Sequence, residues 1–163
     1  MTTPVWADTH DQDLMREVAD FFVAEIKGDA SYISHGEIQV GLSEDGRTWH
    51  PDLQSLMRDD LSDLGPDRSV LYIRDGDALT AAAIILWVNH GRTRFAVIED
   101  MAVQSAKRSG GLGQALMDAI EAKAQSQDMG WLFLESGLEN ERAHAFFERS
   151  GFNTVSKVFA KPI

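Results

Sequence analysis

The sequence contains no cysteine, and this absence restricts its chemistry. Disulfide bonds, thiolate metal sites and a covalent intermediate on cysteine are all excluded. Long hydrophobic runs are missing too, because the longest uncharged apolar stretch, residues 78–88, has about half the length that a membrane-spanning helix needs. Residues 1–13 contain neither the basic region nor the apolar segment of a secretory signal. We therefore expect a cytoplasmic protein without a membrane partner.

Basic residues are scarce relative to acidic ones, with 15 Lys and Arg against 26 Asp and Glu and a net charge of −11. The excess lies in one half of the chain: residues 1–80 carry 17 acidic and 6 basic side chains, whereas residues 81–163 carry 9 of each. Binding of nucleic acid requires Lys and Arg to neutralise phosphates, so a nucleic-acid partner is disfavoured. A cationic ligand would be attracted by this charge, although acidic surfaces also serve solubility alone.

The length of 163 residues and the hydrophobic content of 44% are typical of one globular domain. Apolar spacing, glycines and prolines predict helices over residues 11–27, 51–64, 111–127 and 140–150. The strands are predicted at residues 69–74, 79–89, 94–103, 131–136 and 152–161. A long polar connection, residues 29–50, separates the first two helices, and such loops are usually functional or mobile. This order of elements predicts an α/β domain with a mixed sheet.

A glycine-rich turn, residues 108–113, lies between a predicted strand and a predicted helix. Its backbone N–H groups and the positive end of the helix dipole would bind a phosphate or pyrophosphate. A nucleotide-hydrolase P-loop requires Gly-Lys-Ser/Thr, which the sequence lacks. A dinucleotide-binding fingerprint is also excluded, since Leu116 occupies the place of its third glycine and the chain after Glu135 is too short. The turn alone is equally compatible with no ligand.

Three segments, VIEDMAV, KRSGGLGQALMDAIEAKA and WLFLESGLENERAHAFFERSGF, follow one another in a specific order. In that order they resemble the fourth strand, the pyrophosphate turn with its helix, and the fifth strand with its following helix of the GNAT superfamily of N-acetyltransferases. The resemblance implies a single-domain GNAT-like fold over residues 1–163. Its sheet would be mixed and mostly antiparallel, with splayed central parallel strands and about four flanking helices. Residues 1–80 would form the acceptor side and residues 81–163 the acetyl-CoA side.

The resemblance implies acetyl-CoA as co-substrate and no metal. The residues that would bind it are the pantetheine-binding Met101, Ala102 and Val103, the pyrophosphate-binding Arg108, Ser109, Gly110, Gly111, Leu112 and Gly113, and Asn140 and Phe147 beside the pantetheine and the thiol. Glu99 would be the general base, the alternative being a strand-end carboxylate that pairs with a basic group. Strand alternation places Asp100 on the opposite face of the sheet from Glu99 unless a bulge intervenes.

Phe147 departs from the pattern of the family, because many members have a tyrosine there that protonates the leaving thiolate. Ser136, Tyr32 or a water remain as alternative acids, and a thiol of pKa about 8.5 is also a fair leaving group without one. In the family the connection between the first helices covers the cleft, which implies that Tyr32, His35, Glu37 and Trp49 contact the acceptor. Each of these four also has a purely structural alternative.

The resulting hypothesis is an N-acetyltransferase that moves acetyl directly to the primary amine of a small cationic acceptor. Two alternatives stay open at this point: a protein acetyltransferase for lysine or N-terminal amines, and a non-catalytic acyl-CoA-binding module. A homodimer is also compatible with the resemblance.

Overall fold

The computed structural model describes residues 2–163. The helices are α1 (Gln12–Ile26), α2 (His35–Gln39), α3 (Leu53–Ser62), α4 (Leu112–Ser126) and α5 (Glu141–Arg149). The strands are β1 (Val5–Trp6), β2 (Arg68–Asp75), β3 (Ala78–Val88), β4 (Phe95–Val103) and β5 (Trp131–Leu134). Single 3-10 turns follow α1 at Ala30–Tyr32 and β4 at Ser105–Lys107. The predicted α/β class and mixed sheet are confirmed.

The sheet has the order β1-β2-β3-β4-β5, antiparallel except for the parallel pair β4 and β5. This last pair is short, joining Phe95–Ile98 to Trp131–Leu134, whereas β4 continues to Val103. Beyond Ile98 the two parallel strands are therefore no longer hydrogen-bonded to each other. The open wedge between them is the splay that was predicted, and it forms the floor of the site described below.

Helices cover both faces of the sheet. Buried residues of α1 and α3 pack on one face around Phe22, Met57 and Ile84, and buried residues of α4 pack on the other around Leu116 and Ile85. Burial of each such side chain contributes about 1.5–3 kcal/mol to stability. These two cores hold β4 from both sides. Among residues 2–163, no helix has the length and apolar character needed to cross a membrane.

A bulge in β4 changes the direction of its side chains. Ile84 of β3 opposes Asp100, while the next residue, Ile85, opposes Ile98, so that Glu99 is an extra residue on β4. A bulge of this kind interrupts the alternation of a strand. Asp100 consequently shares the face of Ile84, on the side of α1 and α3. The bulge is the exception that the sequence prediction allowed for, and it brings Asp100 to the face of the sheet on which Glu99 contacts Arg68.

The predicted last strand at residues 152–161 was also wrong, because residues 152–163 form neither helix nor strand. Phe152 packs against Phe147 with ring centroids 6.0 Å apart, and every later residue is exposed. The segment has the apolar residues of a strand, including Phe159, which is 91% exposed. A strand forms only when its backbone pairs with a neighbour, and apolar composition alone does not supply that partner.

Candidate active site

A cavity opens where β4 and β5 diverge. We call residues 29–50 the lid segment, because they close this cavity opposite the sheet. The walls come from α1, the lid segment, β4, the end of β5 and α5, and they include Phe22, Tyr32, Glu37, Trp49, Glu99, Asp100, Met101, Ser136, Gly137, Asn140 and Phe147. The cavity volume is about 70 Å³, room for a few water molecules.

Two glycines allow the lid segment to pack closely on the end of β5. A Cβ on Gly137 would overlap the carbonyl oxygen of Ser31 and lie 2.8 Å from that of Ile33. A Cβ on Gly36 would overlap the carboxylate of Glu135. At Gly137 backbone therefore meets backbone across the cleft, while at Gly36 the helix backbone approaches the Glu135 side chain, and both contacts seat the lid segment over the wedge.

Polar contacts fix the same closure. His35 Nε2 lies 2.6 Å from Oε2 of Glu135, which connects α2 to the residue after β5. Ser34 and Glu37 form a capping box at the start of α2, with the backbone N–H of Ser34 donating to Oε2 of Glu37 at 2.6 Å. Such a box stabilises a helix too short to persist alone. Glu37 is thereby held at the cavity wall, whereas His35 lies at its edge.

Tyr32 and Trp49 anchor the remaining part of the lid segment. Trp49 Nε1 donates to the carbonyl oxygen of Asp29 at 3.4 Å, and both aromatic rings pack on the core below α1. The hydroxyl of Tyr32 accepts from Arg108 and from Arg142, each at 3.4 Å. Tyr32 therefore joins the lid segment to the glycine-rich turn and to α5 at once.

The carboxylate of Glu99 is held by an ion-pair network. Arg68 Nε donates to Oε2 of Glu99 at 2.7 Å, and the same guanidinium makes two bonds to Asp60 at 3.0 and 2.8 Å. Burial alone would lower the pKa of Arg68, but its bonds to Asp60 and Glu99 raise it, so the guanidinium stays charged. Glu99 thus lines the cavity. It also pairs with a basic side chain, which is what the alternative interpretation of Glu99 as a strand-end carboxylate predicted.

Asp100 is the neighbour that the bulge turns into the same cavity. It is half-buried, and its carboxylate accepts no hydrogen bond and makes no ion pair within residues 2–163. Desolvation, followed by repulsion from the carboxylates of Glu37, Glu99 and Asp60, raises the pKa of Asp100 to about 7. A carboxyl group that changes its charge near neutral pH in a cleft is suited to proton transfer.

The glycine-rich turn has the backbone geometry of an anion site. Gly111 adopts φ 82°, in the left-handed region, and precedes α4 without any side-chain cap. The first N–H groups of α4 point out of the helix and have no acceptor within it. A Cβ on Gly113 would lie 3.3 Å from Phe146 and 3.8 Å from Met101, which shows that the turn adjoins the cavity. The turn therefore supplies backbone donors of the kind that bind a pyrophosphate.

The other predicted acetyl-CoA residues lie along the same route. Met101 lines the cavity, Ala102 is buried in the core, and the carbonyl oxygen of Val103 accepts from Arg108 Nε at 3.4 Å. Ser109, Gly110 and Leu112 belong to the turn, where Ser109 also has positive φ, 65°. The role of these residues in binding acetyl-CoA stays a prediction.

Asn140 and Phe147 face the cavity from α5. Asn140 is 5% exposed and caps the helix, its Oδ1 accepting from the backbone N–H of Ala143 at 3.3 Å. The ring of Phe147 contacts that of Phe146 with centroids 5.4 Å apart. Within the described chain, no group of three or more His, Asp or Glu side chains is arranged to hold a metal ion.

Sequence patterns missed the contribution of Glu135 and Gly137, and did not show whether a bulge redirects Asp100. The spacing Ser34 to Glu37 is a capping-box signal that would have located α2 and hence the lid contact. Nothing comparable marks the bulge, because Glu99 and Asp100 read as two consecutive residues of an ordinary strand.

The chain is similar to several known proteins. Over 67 residues it is 34% identical to an uncharacterised N-acetyltransferase of Bacillus subtilis strain 168, YhdJ. The match covers 40% of this chain and 47% of YhdJ, so the chain aligns with about half of that relative.

Two solved structures share the fold across nearly the whole chain. A tetramutant of the BH1408 protein of Bacillus halodurans has a TM-score of 0.73 at 19% identity, covering 98% of this chain and 99% of its own. An aminoglycoside acetyltransferase from an uncultured soil metagenomic sample, solved with trehalose, has a TM-score of 0.69 at 13% identity, with coverage of 99% and 95%. Residues 37–152 match the acetyltransferase (GNAT) family. This span includes the bulge in β4, the glycine-rich turn, the end of β5 and α5. The chain belongs to the acetyltransferase (GNAT) family.

Proposed function

We propose that this protein is an acetyl-CoA-dependent N-acetyltransferase that transfers acetyl directly to the primary amine of a small cationic acceptor. The observation that carries the proposal is the set of carboxylates around the cavity. Glu37, Glu99 and Asp100 line it, and Glu135 stands beside His35 at its edge. Arg68 compensates one of these charges, so an ammonium group entering the cavity would meet a net negative site.

Acetyl-CoA would bind along the wedge between the parallel strands. The free N–H groups at the start of α4, with the left-handed Gly111 before them, supply donors for its pyrophosphate. The backbone of β4 beyond Ile98 has no partner on the β5 side, which leaves N–H and C=O groups for the pantetheine amides. When bound, acetyl-CoA supplies the acetyl group as a thioester.

The closed lid segment supports a small acceptor. The lid segment packs on the end of β5 through the His35 to Glu135 contact and through Ser31 at Gly137, which leaves a narrow cavity between the lid and the sheet. Either the acceptor is small or the lid segment opens, and the close backbone contact at Gly137 opposes wide opening. Acetylation of a protein lysine or N-terminus is therefore the less favoured alternative.

A panel of amines tests this proposal through the release of CoA. Because the chain has no cysteine, a thiol reagent detects only CoA and the protein gives no background. The panel should hold aliphatic diamines, polyamines, aminoglycosides, neutral-side-chain and acidic amino acids, and lysine peptides. We expect the highest kcat/KM for small acceptors with a second positive charge. Preference for acidic amines or for peptides would contradict the proposed acceptor class, and binding of acetyl-CoA with no CoA release from any amine would contradict catalysis.

A further inference from the structure

We propose that Asp100, and not Glu99, accepts the proton of the attacking amine, while Glu99 stays paired with Arg68. This inference rests on the proposed function and names the base of that same site. It follows from the bulge, which presents two adjacent carboxylates to one cavity and places them in different surroundings.

Of the two carboxylates, Asp100 and Glu99, only that of Asp100 has no side-chain partner among the described residues. It lines the cavity with no hydrogen-bond or ion-pair partner in the described part of the chain, so neither of its oxygens is occupied by another side chain. It also sits at the residue where β4 has lost β5 as a neighbour, next to Met101 on the predicted thioester route. A general base must lie within hydrogen-bond reach of the proton that it removes.

Glu99 has one oxygen committed to Arg68, at 2.7 Å, and Arg68 is fixed in turn by two bonds to Asp60. Protonation of Glu99 would weaken this ion pair, in which the Arg68 side chain is 18% exposed and the Glu99 side chain 29% exposed. Glu99 thus has one carboxylate oxygen occupied by Arg68, whereas Asp100 has no side-chain partner.

The charged groups around Asp100 come from four elements and from Glu135 after β5, which lines the same cavity. Glu37 of α2, Glu99 of β4 and Asp60 of α3 disfavour its ionised form, and Arg68 of β2 favours it. The α1 side of the cavity contributes only the apolar Phe22 and Ile26, and α5 contributes Asn140, Ala143 and Phe147. Desolvation and the three carboxylates together outweigh the effect of Arg68. The pKa of Asp100 is therefore raised to about 7, close to neutral pH.

The transfer exchanges the C–S bond of the thioester for a C–N bond. The ammonium group transfers one proton to the Asp100 carboxylate, and the freed nitrogen lone pair forms the C–N bond to the acetyl carbon. The C–S bond breaks, and the sulfur leaves as a thiolate that takes a proton from water, its thiol pKa being about 8.5. The second amine proton passes to water as the amide forms and offsets the proton that the thiolate has taken. Asp100 then returns its own proton to solvent, so one proton is released per turnover.

The pH profile of kcat and of kcat/KM for Asp100→Asn, Glu99→Gln and wild type tests this assignment, with the best acceptor of the amine panel. The exposed Asp63 at the end of α3 provides the matched control, Asp63→Asn. We expect Asp100→Asn to lower kcat at pH 7 by about 10²–10⁴-fold. Its residual activity should rise about tenfold per pH unit, since only amine already neutral in solution can attack. Asp63→Asn should match wild type.

Glu99→Gln should retain activity within about tenfold and move the acidic limb of the profile to lower pH, because one carboxylate that repels the Asp100 charge is removed. Calorimetric titration with CoA shows whether each variant keeps its CoA site. If Asp100→Asn does not bind CoA, Asp100→Ser is used in its place. Equal kcat for Asp100→Asn and wild type, or an equal loss in Glu99→Gln, would overturn the assignment of the base. Absence of turnover in wild type would instead overturn the proposed function.

Discussion

One additional residue in β4 determines which side chains the cavity contains. Without the bulge at Glu99, Asp100 would lie on the face covered by α4, among apolar groups such as Ile85. With it, Asp100 joins Glu37 and Glu99 at the wedge. Bulges commonly redirect side chains next to active sites. The consequence is a carboxyl group that the fold holds at an energetic cost when it is ionised.

That cost is measurable as a dependence of stability on pH. The pKa of Asp100 is 3.8 in an unperturbed chain and about 7 when folded, so the folded state binds its proton more tightly. Its contribution is therefore fully present below about pH 4 and is lost as the pH rises through 7. We expect Asp100→Asn to be more stable than wild type at pH 8, by at most about 4 kcal/mol. The difference should shrink towards pH 4.

Urea unfolding of both proteins at several pH values between 4 and 8 measures this difference. Asp63→Asn, at an exposed position, should show a constant offset from wild type over the same range. A stability gap between Asp100→Asn and wild type that did not change with pH would mean that Asp100 titrates normally in the folded protein.

The lid segment is held by its fit to the end of β5 more than by its own secondary structure. Helix α2 spans only His35–Gln39, and its residues are not fully buried. An isolated helix of this length is unstable in water. Its position therefore depends on the capping box, on the His35 to Glu135 contact and on the backbone packing of Gly137 against Ser31.

Replacement of Gly137 by alanine should loosen this fit. The added Cβ would overlap the Ser31 carbonyl oxygen, which forces the lid segment or the β5 end to move. We expect a loss of about 1–3 kcal/mol of stability, as for other overpacked positions, and a raised KM for the acceptor. At Gly28 a Cβ would meet nothing within 4 Å and φ is not positive, so Gly28→Ala is the matched control with unchanged KM. Thermal unfolding and acceptor kinetics measure both variants, and equal behaviour of the two would show that the lid is not seated by this contact.

The helices and the glycine-rich turn could be predicted because their signals are local. Apolar periodicity marks α1, α3 and α4, and the glycines mark the turn before α4. The bulge could not be predicted, since it depends on how β3 pairs with β4 and leaves no trace in the composition. The prediction of a last strand was wrong for a related reason. Residues 152–161 have a strand-like pattern, but a strand also requires a neighbouring strand with a free edge, which this pattern does not reveal. The two-residue β1 is too short to give any pattern.

Charge distribution is the property of the whole molecule that bears on the acceptor. The net −11 lies entirely within residues 1–80, which supply α1 and the lid segment on one side of the cavity. The half that carries the glycine-rich turn is neutral. An approaching cation would therefore be attracted to the acceptor side, whereas the anionic acetyl-CoA would bind where the excess negative charge is absent.

This asymmetry predicts a dependence of acceptor capture on salt. At an ionic strength of 0.1 M charges are screened beyond about 10 Å, and at 1 M beyond about 3 Å, so only the nearest carboxylates act at high salt. We expect kcat/KM for a diamine to fall several-fold between low and high salt, and kcat to stay nearly constant because the bound amine is already within the cavity. A monoamine of the same chain length is the matched comparison and should show a smaller decrease. Steady-state kinetics over a salt series, with saturating acetyl-CoA throughout, measure how kcat/KM for each amine depends on salt. An equal dependence for the two amines would show that the acidic half does not select the second positive charge.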